Sequence, residues 1–102
     1  MNSLGLLFSY GHYRMYFTYI IYSESYNIYY IGQTNNLQDR LVRHNENRNK
    51  FTKNKGPWKL VFSKLFGSRA EAVRLEKKLK SFKNQDVLKA WIKTNSGSEH
   101  PV

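Results

Sequence analysis

Apolar positions change their spacing along this chain, and each change marks an element. Residues 16–22 (YFTYIIY) are β-branched or aromatic almost throughout, which predicts a strand. Residues 28–33 (IYYIGQ) predict a second, and the short polar link between them suits an antiparallel hairpin. Asn36 followed three positions later by Asp39 resembles a capping box, opening a helix to about Glu46. Leu37, Leu41 and His44 share one face of that helix, with Arg40 beside them. Residues 45–57 form a basic, glycine-containing loop, and 58–66 (WKLVFSKLF) predict a third strand. Ser68 then caps a helix from about Arg69 to Phe82, with Ala72, Val73, Leu75, Leu79 and Phe82 as its apolar positions. Residues 87–92 suggest a last short helix. The order β-β-α-β-α-α predicts an α+β fold, a small three-stranded, mostly antiparallel sheet flanked by helices.

At 102 residues the chain holds one domain at most. Residues 15–93 are expected to carry it. Residues 1–14 read as a loose leader, with Met15 as an alternative start, and residues 94–102 as a disordered polar tail.

Composition adds a partner class. Seventeen Lys and Arg against seven Asp and Glu leave a net charge of +10, a field that draws in polyanions, of which nucleic acid is the commonest. A basic but otherwise unremarkable soluble surface is the plainer account. The absence of cysteine excludes disulfides and thiolate metal sites, and His12, His44 and His100 lack zinc-ligand spacing. No apolar stretch reaches the roughly 18 residues of a membrane span, and the start lacks the marks of a signal peptide. A cytoplasmic protein without a membrane partner is expected.

All eight tyrosines lie between positions 10 and 30. Strand propensity alone explains tyrosines in a hairpin. Geometry gives them a further meaning. Pairing Ile21 with Ile28 sets Tyr19 opposite Tyr30, with Cβ atoms roughly 5 Å apart on one face. Gly32 shares that face, and its missing side chain is expected to leave open space where a ligand backbone approaches.

These residues carry a resemblance. Tyr30-Ile31-Gly32 stands ten or so residues after Phe17-Thr18-Tyr19, and Gly32, Thr34, Leu37, Arg40, Leu41 and His44 follow the spacing G-x-T-x-x-L-x-x-R-L-x-x-H. Phe51-Thr52, the stretch Pro57-Trp58-Lys59-Leu60-Val61, and Arg74-Leu75-Glu76-Lys77-Lys78-Leu79-Lys80 continue the pattern. The ordered set resembles the small stand-alone members of the GIY-YIG endonuclease family, and is similar to the catalytic domain of the nucleotide-excision repair nuclease. The first tripeptide keeps only its tyrosine. Gln33 replaces a lysine found in some larger relatives, and Asn84 sits at a different spacing from a late asparagine of others.

The resemblance implies metal-dependent hydrolysis of phosphodiester bonds, leaving 5′-phosphate and 3′-hydroxyl ends, on DNA as the expected substrate and DNA repair as the setting. Glu76 is implied as the ligand of one Mg²⁺ or Mn²⁺; read by itself, it is the partner of Lys80 in an i,i+4 ion pair. Tyr19 is implied to take a proton from the attacking water, supported by a hydrogen bond from Tyr30, the two roles being exchangeable. Bringing a phenol from pKa about 10 to 7 takes about 4 kcal/mol, which the metal and the basic field are expected to supply. Arg40 is expected to steady the charged transition state, and His44 to orient water or protonate the leaving oxygen. Arg43, Arg48, Lys50, Lys53, Lys55 and Lys59 are expected to contact phosphates. A protein partner supplying specificity fits so small a chain. The competing accounts are a non-catalytic nucleic-acid-binding module on the same basic face, and a protein-interaction domain docking through its tyrosines.

Overall fold

The strand richest in β-branched and aromatic residues takes the middle of the sheet. In the computed structural model, which describes residues 15–96, β1 (Tyr16–Ser23) pairs antiparallel with β2 (Ile28–Thr34) on one side and β3 (Trp58–Phe66) on the other. Three helices follow the expected order: α1 (Leu37–Asn45) between β2 and β3, then α2 (Arg69–Lys80) and α3 (Gln85–Ser96). None of the helices among the described residues is long and apolar enough to cross a membrane. The expected leader over residues 1–14 lies outside the described residues.

Strand alternation splits β1 between two cores. Ile20 packs with Phe62, Leu79 and Leu88 beneath α2 and α3, while Tyr19 and Ile21 pack with Trp58 toward Leu37 and Leu41 of α1. Trp58 and Phe62, four residues apart, would share a face on a regular strand. A register shift between Ile20, opposite Phe62, and Ile21, opposite Leu60, inserts Val61 as an extra residue and sends the two rings to different cores. Thr18 Oγ1 donates to the Ala72 carbonyl at 2.7 Å, and both residues are fully buried. The small side chain of Ala72 lets α2 come this close to the centre of the sheet.

Local chemistry sets the helix starts. Asn36 Oδ1 accepts from the Asp39 amide at 3.0 Å, and Ser68 Oγ accepts from the Glu71 amide at 3.3 Å while donating to Glu71 Oε1 at 2.9 Å. α2 ends at Lys80, short of the expected Phe82, which still packs on the core. α3 is longer than the expected 87–92. Asn84 Oδ1 accepts from the Val87 amide at 3.0 Å at its start, and Ser96 Oγ donates to the Val61 carbonyl at 3.3 Å at its end. Thr94, Asn95 and Ser96 are therefore helical rather than part of a tail, and residues 97–102 lie outside the described residues.

The hairpin register differs from the expected one. Ser23 pairs with Ile28, so Ile21 faces Tyr30 and Tyr19 faces Gly32. The loop is tighter than an Ile21–Ile28 pairing allows. Asn27 takes a left-handed conformation (φ 52°), Ser23 Oγ accepts from the Tyr26 amide at 3.3 Å, and the Tyr22 hydroxyl donates to Asn27 Oδ1 at 2.8 Å. The rings of Tyr22 and Tyr29 stack across the pair with centroids 4.6 Å apart.

Gly32 consequently leaves no open space: the Tyr19 side chain fills it. A Cβ built on Gly32 would lie 2.7 Å from Tyr19 Oη and 2.8 Å from Cζ. The Tyr19 ring is fully buried and cannot swing aside without repacking its core. Gly32→Ala is therefore expected to cost about 1–3 kcal/mol of stability, read as a lowered urea midpoint with unchanged m-value. An unchanged midpoint would show that the ring yields freely.

Candidate active site

The lower core of β1 and α1 holds a polar chain. Tyr19 Oη lies 2.8 Å from His44 Nε2, and His44 Nδ1 lies 2.8 Å from Thr52 Oγ1. All three residues are fully buried. Each is placed by a different element: Tyr19 by the inward face of β1, His44 by the last turn of α1, Thr52 by the loop that follows. The loop is pinned where it matters, since Trp58 Nε1 donates to the Thr52 carbonyl at 3.2 Å and Asn45 exchanges two hydrogen bonds with the Trp58 backbone at 2.7 and 3.1 Å.

Tyr30 and Arg40 complete the cluster. The Tyr30 ring sits 4.9 Å from that of His44 and 6.3 Å from that of Tyr19, centroid to centroid. Tyr19 thus bonds to His44 rather than to Tyr30, contrary to the expected phenol–phenol hydrogen bond. The two-residue shift in register moves the rings to a diagonal, where Tyr30 packs against both Tyr19 and His44. The Arg40 guanidinium lies near enough to both Tyr19 and His44 to shift their proton affinities. Its Nε is buried without a hydrogen-bond partner among the described residues. A buried donor left unpaired costs about 1–3 kcal/mol unless an acceptor arrives, and a phosphate oxygen matches the planar fork.

These surroundings hold the pair in defined protonation states. Burial, then Tyr30, and to a smaller degree Glu76 push the Tyr19 phenol well above its ordinary range, and Arg40 only partly offsets them. The positive charge of the chain alone therefore does not make Tyr19 a phenolate, because loss of hydration outweighs Arg40; the expected lowering joins a metal ion to that field. Burial first, and Arg40 second, lower His44 to about 4. His44 is a neutral imidazole at pH 7, a proton acceptor. It lies at the helix end, but buried rather than open to solvent.

Glu76 projects from α2, its side chain 18% exposed, with Oε2 at 2.9 Å from Lys80 Nζ. The i,i+4 ion pair read from the sequence is formed. The same carboxylate is near enough to Tyr19 to raise its phenol, so α2 brings the acid to the phenolic cluster. The start of α2 is fixed against the sheet by Arg69, which donates from Nη1 to Gln33 Oε1 at 3.0 Å and covers the Tyr16 ring at 4.7 Å. Gln33 thus serves as a docking point for α2. Among the described residues no group of three or more His, Cys, Asp and Glu side chains gathers as a metal cage. One hard carboxylate at the edge of a cationic cluster fits Mg²⁺ or Mn²⁺, which keep several waters and take substrate oxygens; it does not fit zinc.

The basic residues divide. Arg43 pairs with Asp39 at 3.0 Å and Arg48 with Glu46 at 2.9 Å, both exposed pairs worth well under about 1 kcal/mol and easily exchanged for phosphate. Lys50, Lys53, Lys55 and Lys59 stand exposed along the loop and the start of β3. Sequence reasoning gave Thr52 no chemical role. A buried hydroxyl that orients an imidazole carries no periodic signal, and only its neighbour Phe51, exposed while Thr52 is buried, hints at the alternation.

The lowered His44 has a consequence for stability. In the unfolded chain the imidazole takes up its proton near pH 6.5, whereas in the fold it does so only near 4. Between these values the unfolded state binds the extra proton, so stability falls as the pH falls from about 6.5 to 4, by on the order of 3 kcal/mol, and levels off below. Urea midpoints measured across this window should drop for the wild type and drop less for His44→Gln. Equal slopes would place the titration elsewhere.

Comparison with known proteins agrees with the architecture. The UPF0213 protein of Staphylococcus haemolyticus is 36% identical over 74 residues, 72% of this chain and 89% of that one. The UPF0213 protein of Oceanobacillus iheyensis is 31% identical over 77 residues, 74% of this chain and 88% of its own. The solution NMR structure of a UPF0213 protein from Bacillus halodurans is similar at a TM-score of 0.54 and 25% identity, covering 81% of this chain and 87% of that one. Residues 15–89 match the GIY-YIG catalytic domain, and on that match the chain belongs to the GIY-YIG family of nucleases.

Proposed function

We propose that this chain is a divalent-metal-dependent endonuclease that hydrolyses phosphodiester bonds in DNA, leaving 5′-phosphate and 3′-hydroxyl ends. The observation that supports it most is the buried Tyr19–His44 contact of 2.8 Å beside a guanidinium with an unpaired Nε. A structural tyrosine would also need a hydrogen-bond partner when buried, but it would not need an orphaned guanidinium donor beside it.

The phosphate of the scissile bond binds at Arg40, whose fork pairs with its non-bridging oxygens. A water lies against the Tyr19 hydroxyl, opposite the leaving oxygen. As the water oxygen bonds to phosphorus, the bond from phosphorus to the 3′ oxygen breaks; the proton of the water passes to Tyr19 Oη, the phenolic proton passes to His44 Nε2, and the departing 3′ oxygen takes a proton from solvent. Tyr19 is a relay and remains a phenol at both ends of the step, consistent with its raised proton affinity. Nδ1–H of His44 donates to Thr52 Oγ1 in this tautomer, which keeps the ring aimed. Arg40 depresses the basicity of His44 in the resting protein, and a phosphate neutralising Arg40 relieves that depression when substrate is bound. The Tyr30 ring packs 4.9 Å from that of His44, centroid to centroid, and shields the imidazole from water.

Glu76 is the residue that would hold a divalent cation, in competition with Lys80 Nζ. When bound, such an ion supplies charge that polarises the phosphate and eases departure of the leaving oxygen. Lys50, Lys53, Lys55 and Lys59, with Arg43 and Arg48 once released from their acids, hold the flanking phosphates. The cytoplasm, where such substrates are free of membranes, is the proposed location, with DNA repair as the process and a protein partner as a source of added specificity.

A panel of end-labelled DNA and RNA substrates in Mg²⁺, Mn²⁺ or EDTA tests the reading. Cleavage should require the metal, and Tyr19→Phe, His44→Gln and Glu76→Ala should each reduce it by about 100-fold or more with DNA binding retained. Lys53→Ala should instead weaken binding and lower the slope of log K against log salt by about one. Full metal-dependent activity in Glu76→Ala would overturn the assignment, and salt-sensitive binding with no cleavage by the wild type would make the chain a binding module.

A further inference from the structure

Phe51 is the most exposed large apolar side chain among the described residues, at 67%. It sits in the loop between α1 and β3, one position before Thr52, whose hydroxyl touches His44. The loop is held by its own hydrogen bonds. Asn49 Oδ1 accepts from the Phe51 amide at 2.9 Å and the Thr52 amide at 3.2 Å, and Asn47 Oδ1 accepts from the Asn54 amide at 2.9 Å. The Thr52 carbonyl accepts from the Lys55 amide and from Trp58 Nε1, both at 3.2 Å. Asn47 and Asn54 take left-handed conformations (φ 61° and 63°), which close the loop on itself. The chain thus buries Thr52 and presents Phe51 to solvent from a fixed backbone.

The surroundings of Phe51 are cationic. Arg48, Lys50, Lys53 and Lys55 are all exposed on the same loop, against Glu46 as its one acid. An aromatic ring ringed by positive charge suits an aromatic group carried on a phosphate backbone better than it suits an apolar protein surface. Bases inside a duplex already have both faces covered, so one exposed ring gains a stacking partner only at a base that is unpaired.

We propose that Phe51 stacks on an unpaired base next to the scissile phosphate, so that this chain selects nucleic acid carrying an unpaired nucleotide over plain duplex. This rests on the nuclease reading of the Tyr19 site and names its substrate class. Phe51 is a positioning residue: Lys50 and Lys53 hold the flanking phosphates, the ring fixes the base, and the phosphate is thereby set at Arg40. The short link from Phe51 through Thr52 to His44 joins the stacking platform to the proton acceptor.

The test uses the full chain and a duplex with one unpaired 2-aminopurine, beside the same duplex fully paired. Binding is measured in EDTA by anisotropy, and stacking by the 2-aminopurine emission, which a stacked aromatic ring quenches. Wild type and Phe51→Trp should bind the unpaired substrate more tightly than the duplex and quench the probe. Phe51→Ala should lose the quenching and bind the unpaired substrate about tenfold more weakly, with duplex affinity and thermal midpoint unchanged. An equal loss on both substrates, or quenching that survives Phe51→Ala, would overturn the proposal. Quenching by a wild type that never cleaves in Mg²⁺ or Mn²⁺ would uphold the platform while the nuclease reading fails. Metal-dependent cleavage by a wild type that neither quenches the probe nor prefers the unpaired substrate would do the reverse.

Discussion

The structure turns on how the Tyr19 phenol is buried. Its ring fills the place that any side chain at residue 32 would need, and its hydroxyl ends on His44 Nε2. A buried hydroxyl without a partner is costly, so placing Tyr19 inward commits the fold to supply one. His44 supplies it, and the imidazole in turn commits Thr52, whose carbonyl and neighbours fix the basic loop. One inward tyrosine on the central strand therefore determines the residue opposite it, the face of α1 and the path of the loop.

Charge follows from the same burial. Desolvation keeps the phenol protonated and the imidazole neutral, and this happens in a chain of net charge +10. Such a pair sets a phenol against a neutral imidazole nitrogen at 2.8 Å. Arg40 is the second cause, after burial, of the lowered His44, and its charge bears on both members of the pair. Glu76, the one carboxylate among the described residues that bears on Tyr19, comes from the opposite layer on α2 and is drawn in by the Thr18–Ala72 and Gln33–Arg69 contacts. Neither contact touches a reacting atom; both decide where the acid stands.

Much of the fold was legible in the chain. The strands announced themselves by β-branched and aromatic runs, and Asn36 and Ser68 marked helix starts by side chains that cap them. The order of elements followed. Register did not, because the hairpin loop closes at Ser23 and Ile28 through an asparagine in a left-handed conformation, a tertiary choice that residue patterns leave open. That shift turned the expected Tyr19–Tyr30 bond into a Tyr19–His44 one. The bulge at Val61, which separates Trp58 from Phe62, was equally invisible. Of the candidate site, spacing and resemblance picked out Tyr19, Tyr30, Arg40, His44 and Glu76, whereas Thr52 needed the folded loop. Burial also raises the Tyr19 proton affinity against the pull of Arg40, an effect that net charge cannot reveal.

The account stands on where one proton lies. Nitrogen-15 spectra of the histidine-labelled chain at pH 7 report the state of each imidazole nitrogen of His44 separately. The relay requires Nε2 to be unprotonated, accepting from Tyr19, with the proton on Nδ1 facing Thr52. A protonated Nε2 would leave the phenol no acceptor and contradict the mechanism.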